Sequence, residues 1–340
     1  MGRLHLAGRR AAVTPATCLL ATLLVAGCAA GGATPSAAPT PYAAASPSAV
    51  TTPGPAASRA GATATALPVR HVADAPYMRS LMPLSAVDVE PGTEVLLDIY
   101  APRTGGPWPV VVWAPGGQLQ RSFGSTFGEA LASRGAVVFL VDTVHAMTPD
   151  QPALGAGSRA LVEEASCAVR TARAMAPEYG GNPGHVVWSG HSLGGVFGFE
   201  LALADPEWER LWTDYAATHP DLGPTVDCMT SGGSDRIDAI VTSGSGRFIG
   251  LWAGVYDADP ELRAFTESVS HVGNNPSLVV RQVHGDPDPE QPFTVAQALS
   301  RELVAAGYDA TLTRVDLGGH APLFPQVMDR ILEVVGSPGW

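Results

Sequence analysis

The stretch that decides the fold is His185-Val186-Val187-Trp188-Ser189-Gly190-His191-Ser192-Leu193-Gly194-Gly195, continued by the apolar run Val196–Ala204. His185–Trp188 has the short apolar pattern of a buried strand. Val196–Ala204 has the composition of a buried helix, and only a glycine-rich corner separates the two. Within that corner, Gly190-His191-Ser192-Leu193-Gly194 fits Gly-x-Ser-x-Gly. A serine between an incoming strand and an outgoing helix occupies a tight, strained turn that lifts its hydroxyl clear of the sheet. Side chains at positions 190 and 194 would collide with the adjoining elements, hence the glycines. The hydroxyl then sits at a helix N-terminus, where developing negative charge is favoured.

Working outward, apolar strand-like runs alternate with amphipathic helical ones. Before the corner come Pro109–Ala114 (strand), Ser125–Ser133 (helix), Ala136–Asp142 (strand) and Arg159–Ala176 (helix), with 143–157 read as a loop rich in Pro and Gly. After it come Ile237–Thr242, Ser277–Val283 and Ala310–Val315 as strands, and Phe293–Ala306 and Leu323–Val335 as helices. This alternation predicts an α/β class, with a mainly parallel sheet and helices on both faces. Val87–Val89 and Glu94–Tyr100 flank the turn Glu90-Pro91-Gly92 and predict antiparallel pairing at one edge. Residues 205–235 and 243–276 fall outside the alternation and are read as a small lid or pocket walls, with Phe248 and Trp252 as lining side chains. Trp113 and Trp188 are assigned to the core.

A serine nucleophile needs a base and an acid to orient that base. On a strand–serine–helix corner of this kind the chain order is Ser, then Asp or Glu, then His. Asp286 and Asp288 both lie in the loop past a late strand, and either can serve as the acid. His320, in Gly318-Gly319-His320-Ala321, follows the last strand and is the candidate base. His145 precedes Ser192, His191 cannot easily fold back onto the neighbouring hydroxyl, and His271 and His284 lie too early. A tetrahedral oxyanion needs preorganised N–H donors. Leu193 supplies one, and the loop after Trp113 supplies the other from Gly117 or Gln118.

The 340-residue chain is 46% hydrophobic and 15% charged, enough for a sizeable core. Its net charge of -12, with every basic side chain an arginine, argues against nucleic acid, which needs a basic patch. Residues 1–28 form a leader: Arg3, Arg9 and Arg10, then the apolar Ala16–Ala26, too short to span a bilayer. Residues 29–68, almost only Ala, Pro, Thr, Ser and Gly, are read as an extended tether, and 69–340 as the catalytic domain. Cys18 falls in the leader. In an exported domain Cys167 and Cys228 are candidates for a disulfide. No cysteine spacing suits a metal.

Leu24-Val25-Ala26-Gly27-Cys28 resembles the lipobox of bacterial lipoproteins, which implies cleavage before Cys28, a lipid on its sulfur, and residence on the outer face of the cell membrane or secretion. Over roughly 85–335 the chain resembles the α/β-hydrolase superfamily. Pro115-Gly116-Gly117, Ser133-Arg134-Gly135, Val141-Asp142-Thr143 and the Ser192 corner resemble cutinase-like polyester hydrolases and platelet-activating-factor acetylhydrolases. Ser166–Arg170, Glu178–Pro183 and Gly190-His191-Ser192 resemble bacterial carboxylesterases of the feruloyl-esterase-like kind. The acid loop resembles the His-Gly-x-x-Asp-Pro loop of many esterases, which selects Asp288. The resemblance implies hydrolysis of a small-molecule or lipid-like ester without a cofactor. It departs where Pro115 and Gln118 stand for residues of the usual His-Gly-Gly-Gly loop. It departs again where Gly117 replaces the aromatic of the polyester hydrolases. The same triad serves acyl transfer and polyester or lipid hydrolysis. A surface binding protein on an inactive hydrolase scaffold is the alternative of another class.

Overall fold

The computed structural model describes residues 65–81, 90–117, 120–143, 154–220, 223–246, 261–262 and 267–340. The leader with Cys28, the tether up to residue 64, Val87–Val89, Gln118, Phe248 and Trp252 lie outside the described residues.

Nine strands form one sheet in the order β6-β1-β2-β4-β3-β5-β7-β8-β9. They are β1 (Val69–Ser80), β2 (Glu94–Pro102), β3 (Trp108–Ala114), β4 (Val137–Val141), β5 (Gly181–His191), β6 (Val226–Cys228), β7 (Ala239–Ser243), β8 (Val279–Asp286) and β9 (Asp309–Asp316). From β4 through β3, β5, β7 and β8 to β9 all neighbours are parallel, while β1, β2 and β6 make the antiparallel edge. Six helices are described: α1 (Ser125–Ala132), α2 (Leu154–Met175), α3 (Leu193–Ala204), α4 (Trp208–Thr218), α5 (Phe293–Ala305) and α6 (Phe324–Val335).

Buried parallel strands present apolar side chains to both faces, and alternate residues go to opposite sides. In β3, Val110 and Val112 join the core under α2 and α3, whereas Val111 and Trp113 join the core under α1 and α6. Trp113 packs there against Phe127 and Phe324. On the other face Trp188 is fully buried, and its indole N–H donates to Gly194 O at 2.9 Å.

The strands and helices expected in the parallel part are all present, with ends shifted by a few residues. Three features differ. First, α2 begins at Leu154, inside the expected loop 143–157 and despite Gly155 and Gly157. Extending an existing helix adds one hydrogen bond per residue fixed, which offsets the weak propensity of glycine. Second, β1 carries no clean alternation. Its register slips between Val72 and Ala75 and again between Pro76 and Met78, and Asp74 has φ 58°. These irregularities erase the period of two by which a strand is recognised. Third, 205–235 is not wholly lid. It holds α4 and the short strand β6, which pairs with Met78–Ser80 and completes the sheet edge.

Cys167 of α2 and Cys228 of β6 form the disulfide anticipated from their location, with Cα atoms 5.3 Å apart and a sequence separation of 61. Closing a loop of that size stabilises the fold by about 4 kcal/mol in the chain-entropy picture. The bridge ties a three-residue strand to the longest of the described helices.

Candidate active site

The corner after β5 is built from sterics. Ser192 is the residue before α3 and has φ 50° and ψ -121°, a region that non-glycine residues rarely adopt. Such strain costs on the order of 1–3 kcal/mol and persists only where the surroundings enforce it. A Cβ at Gly190 would stand 2.3 Å from Gly194 O, and one at Gly194 would stand 2.3 Å from Pro115 O. Neither position has room for a side chain. The N–H of Ser192 donates to Ser243 O at 2.9 Å, which pins the corner to the end of β7.

The structure brings Ser192, Asp288 and His320 together from three separate loops. His320 Nε2 lies 2.9 Å from Ser192 Oγ, and Nδ1 lies 2.8 Å from Asp288 Oδ2. An imidazole protonated on Nδ1 donates to the carboxylate and leaves Nε2 able to accept the serine proton. Asp288 is buried, and its other oxygen accepts the main-chain N–H groups of Glu290 and Gln291 at 2.9 and 2.8 Å. Asp286, the other candidate acid, instead pairs with Arg314 at 2.5 Å.

Leu193 opens α3, where the first backbone N–H groups have no acceptor within the helix. The loop after β3 runs beside the nucleophile: a Cβ at Gly116 would stand 3.1 Å from Ser192 Cβ. Gly117 follows directly and is half-buried.

Several supports carry no sequence motif. His284 is buried in β8; its Nε2–H donates to Gln291 O at 2.6 Å, and the ring lies 3.4 Å from Asp288 Oδ2. It therefore holds down the acid loop. The loop bearing His320 packs directly on Gly285, where a Cβ would stand 2.1 Å from Gly319 O. Gly244, at φ 56°, backs onto His320, where a Cβ would stand 3.3 Å from the ring. Only a paired-glycine signal around 285 and 318–319 could have hinted at this contact.

His191, beside the nucleophile, is buried and faces His320 with ring centroids 4.9 Å apart. Its Nδ1 lies 3.2 Å from Ser243 O, so the neutral ring donates there. Burial, and then the neighbouring His320, lower its pKa from 6.5 to about 4. The unfolded chain takes up this proton near pH 6.5 and the folded protein only near pH 4. Stability is therefore lost as pH falls through that window. Between pH 7 and pH 4.5 this group is expected to remove about 2.5 kcal/mol. Urea unfolding of the wild type and His191→Gln at both pH values checks this: the variant is expected to lose less on acidification by that amount.

No protein-family model matches the chain, and no curated protein matches it by sequence. Solved structures do. The propionate-bound esterase Est2 of the planctomycete Thermogutta terrifontis superposes with a TM-score of 0.54 at 19% identity, over 77% of this chain and 94% of that one. A truncated carbohydrate esterase from gut microbiota gives 0.52 at 16% identity, over 81% and 99%. A bifunctional GH43-CE protein of Bacteroides eggerthii gives 0.53 at 18%, over 71% of this chain and 33% of that one. The chain shares the fold of these proteins.

Proposed function

We propose that this chain is a serine hydrolase that cleaves carboxylic esters through an acyl-enzyme on Ser192. The observation that carries the reading is the single imidazole of His320 placed between Ser192 Oγ and Asp288 at hydrogen-bonding distance to each. A binding protein has no need of that arrangement. The esterase neighbours support the same reading.

In the first half-reaction His320 Nε2 takes the Ser192 proton as Oγ attacks the acyl carbon. Asp288 stabilises the resulting imidazolium. The oxyanion is received by the N–H groups of Leu193 and Gly117. The intermediate collapses, His320 returns its proton to the departing alcohol, and the acyl group stays on Oγ. Water then attacks the acyl-enzyme with His320 again as base, releasing the acid and restoring Ser192.

A lipid on Cys28, the tether 29–68 and the domain from 69 onward would place this activity on the outer face of the cell membrane. The Cys167–Cys228 bridge supports an exported domain, since disulfides persist in oxidising compartments.

The direct test is to offer the protein p-nitrophenyl esters of increasing chain length and to treat it with a fluorophosphonate. Turnover is expected, with one label per chain mapping to Ser192 and absent from Ser192→Ala. No turnover and no label would leave the binding-protein reading. Product that shifts to a new ester on adding an alcohol would make the enzyme an acyltransferase.

A further inference from the structure

Glu290 has no part in the triad, yet its Oε2 lies 3.6 Å from His320 Nε2, the nitrogen that also faces Ser192 Oγ at 2.9 Å. The carboxylate is therefore no farther from Oγ than those two distances end to end. Its main chain rides on the turn that carries the acid, where the Glu290 N–H donates to Asp288 Oδ1. The side chain is 71% exposed and stands at the solvent side of His320 Nε2. Among the described residues His320 is its one ionic partner. Arg314, on the neighbouring strand β9, is engaged by Asp286 and Asp316 and by the ring of Phe293.

We infer that Glu290 selects the alcohol side of the substrate, favouring esters whose leaving alcohol is cationic a few atoms from the ester oxygen and disfavouring anionic ones. The inference rests on the serine-hydrolase reading. In that reaction the leaving oxygen receives its proton from Nε2, so it must come within about 3 Å of that nitrogen. The first atoms of the alcohol then pass beside Glu290, while the acyl chain extends from the other side of the carbonyl carbon. A unit positive charge about 5 Å from the carboxylate at a solvated rim gains on the order of five- to tenfold in kcat/KM at low ionic strength. The gain shrinks as salt screens it.

The test compares three butyrate esters: the choline ester, its neutral isostere 3,3-dimethylbutyl butyrate, and the anionic 3-sulfopropyl ester. The readout is the ratio of kcat/KM for the charged ester to that for the neutral one, from which any general change in His320 cancels. For the wild type at about 10 mM salt the choline ratio is expected at five to ten and the sulfopropyl ratio well below one, both converging on one at high salt. Glu290→Gln is expected to bring the choline ratio to about two or less. Glu129→Gln, which removes an exposed acid on α1, is expected to leave it in place and so separates Glu290 from the overall negative charge. Turnover of the neutral ester with a wild-type choline ratio near one, or a ratio that Glu290→Gln leaves alone or that Glu129→Gln lowers equally, overturns the inference and leaves the hydrolase reading standing. No turnover of any ester, with no fluorophosphonate label, overturns both.

Discussion

His320→Ala and Ser192→Ala are each expected to lower kcat by about 10⁶, and the double variant by no more than either alone. The reason is that the hydroxyl and the imidazole act as one unit. Without Nε2, no other side chain among the described residues is hydrogen-bonded to Oγ to take its proton, and a neutral serine is a poor nucleophile. Without Oγ, the imidazole has nothing to activate. Once one is gone, removing the other changes little, because the residual rate comes from binding and the oxyanion donors alone. His191, the other ring near the corner, cannot substitute: it is buried, donates to Ser243 O, and holds its proton affinity down at about pH 4. Single-turnover kinetics on a p-nitrophenyl ester checks the cycle. Losses that multiplied in the double variant would mean that the two side chains contribute independently, and the proposed proton transfer between them would be wrong.

Asp288→Asn is expected to cost about 10⁴ in kcat, and Asp286→Asn less than about threefold. The two residues lie two positions apart at the end of β8, Asp286 as its last residue and Asp288 in the loop beyond, and carry the same charge, so sequence alone leaves either open as the acid. Their surroundings separate them. Asp288 is buried, with Oδ2 on His320 Nδ1 and Oδ1 on two main-chain N–H groups. An amide there still packs, but its NH₂ or its misdirected oxygen breaks the pairing that sets the His320 tautomer. Asp286 turns toward Arg314 and solvent. A surface ion pair of this kind contributes about 0–1 kcal/mol to stability, and none of it reaches Ser192. Equal losses for the two variants would remove Asp288 from the role assigned to it.

The parallel sheet was legible because its strands are short, apolar and bounded by turn residues, and because helical periods of 3.6 separate them. The corner at Ser192 was legible because seven consecutive residues carry both the fold signal and the steric demand for glycine. The position of His320 past the last strand followed from chain order. What escaped lay where local pattern fails. In β1 two register slips hide the strand. In β6 three residues are too few to signal one, and its partner lies well over a hundred positions away in the chain.

By itself the sequence determined the order of strands and helices in the parallel part of the sheet, the strained turn that presents Ser192, and the short set of side chains from which a base and an acid could come. Those features depend on sterics and periodicity within a dozen residues. The tertiary structure set Asp288 against His320 and Asp286 against Arg314, put His284 beside the acid loop, closed Gly285 against Gly319 and brought the Glu290 carboxylate to 3.6 Å from His320 Nε2. Each of these is a distance of a few ångströms between groups carried on different loops or strand ends. Such distances exist only after the sheet has twisted and packed.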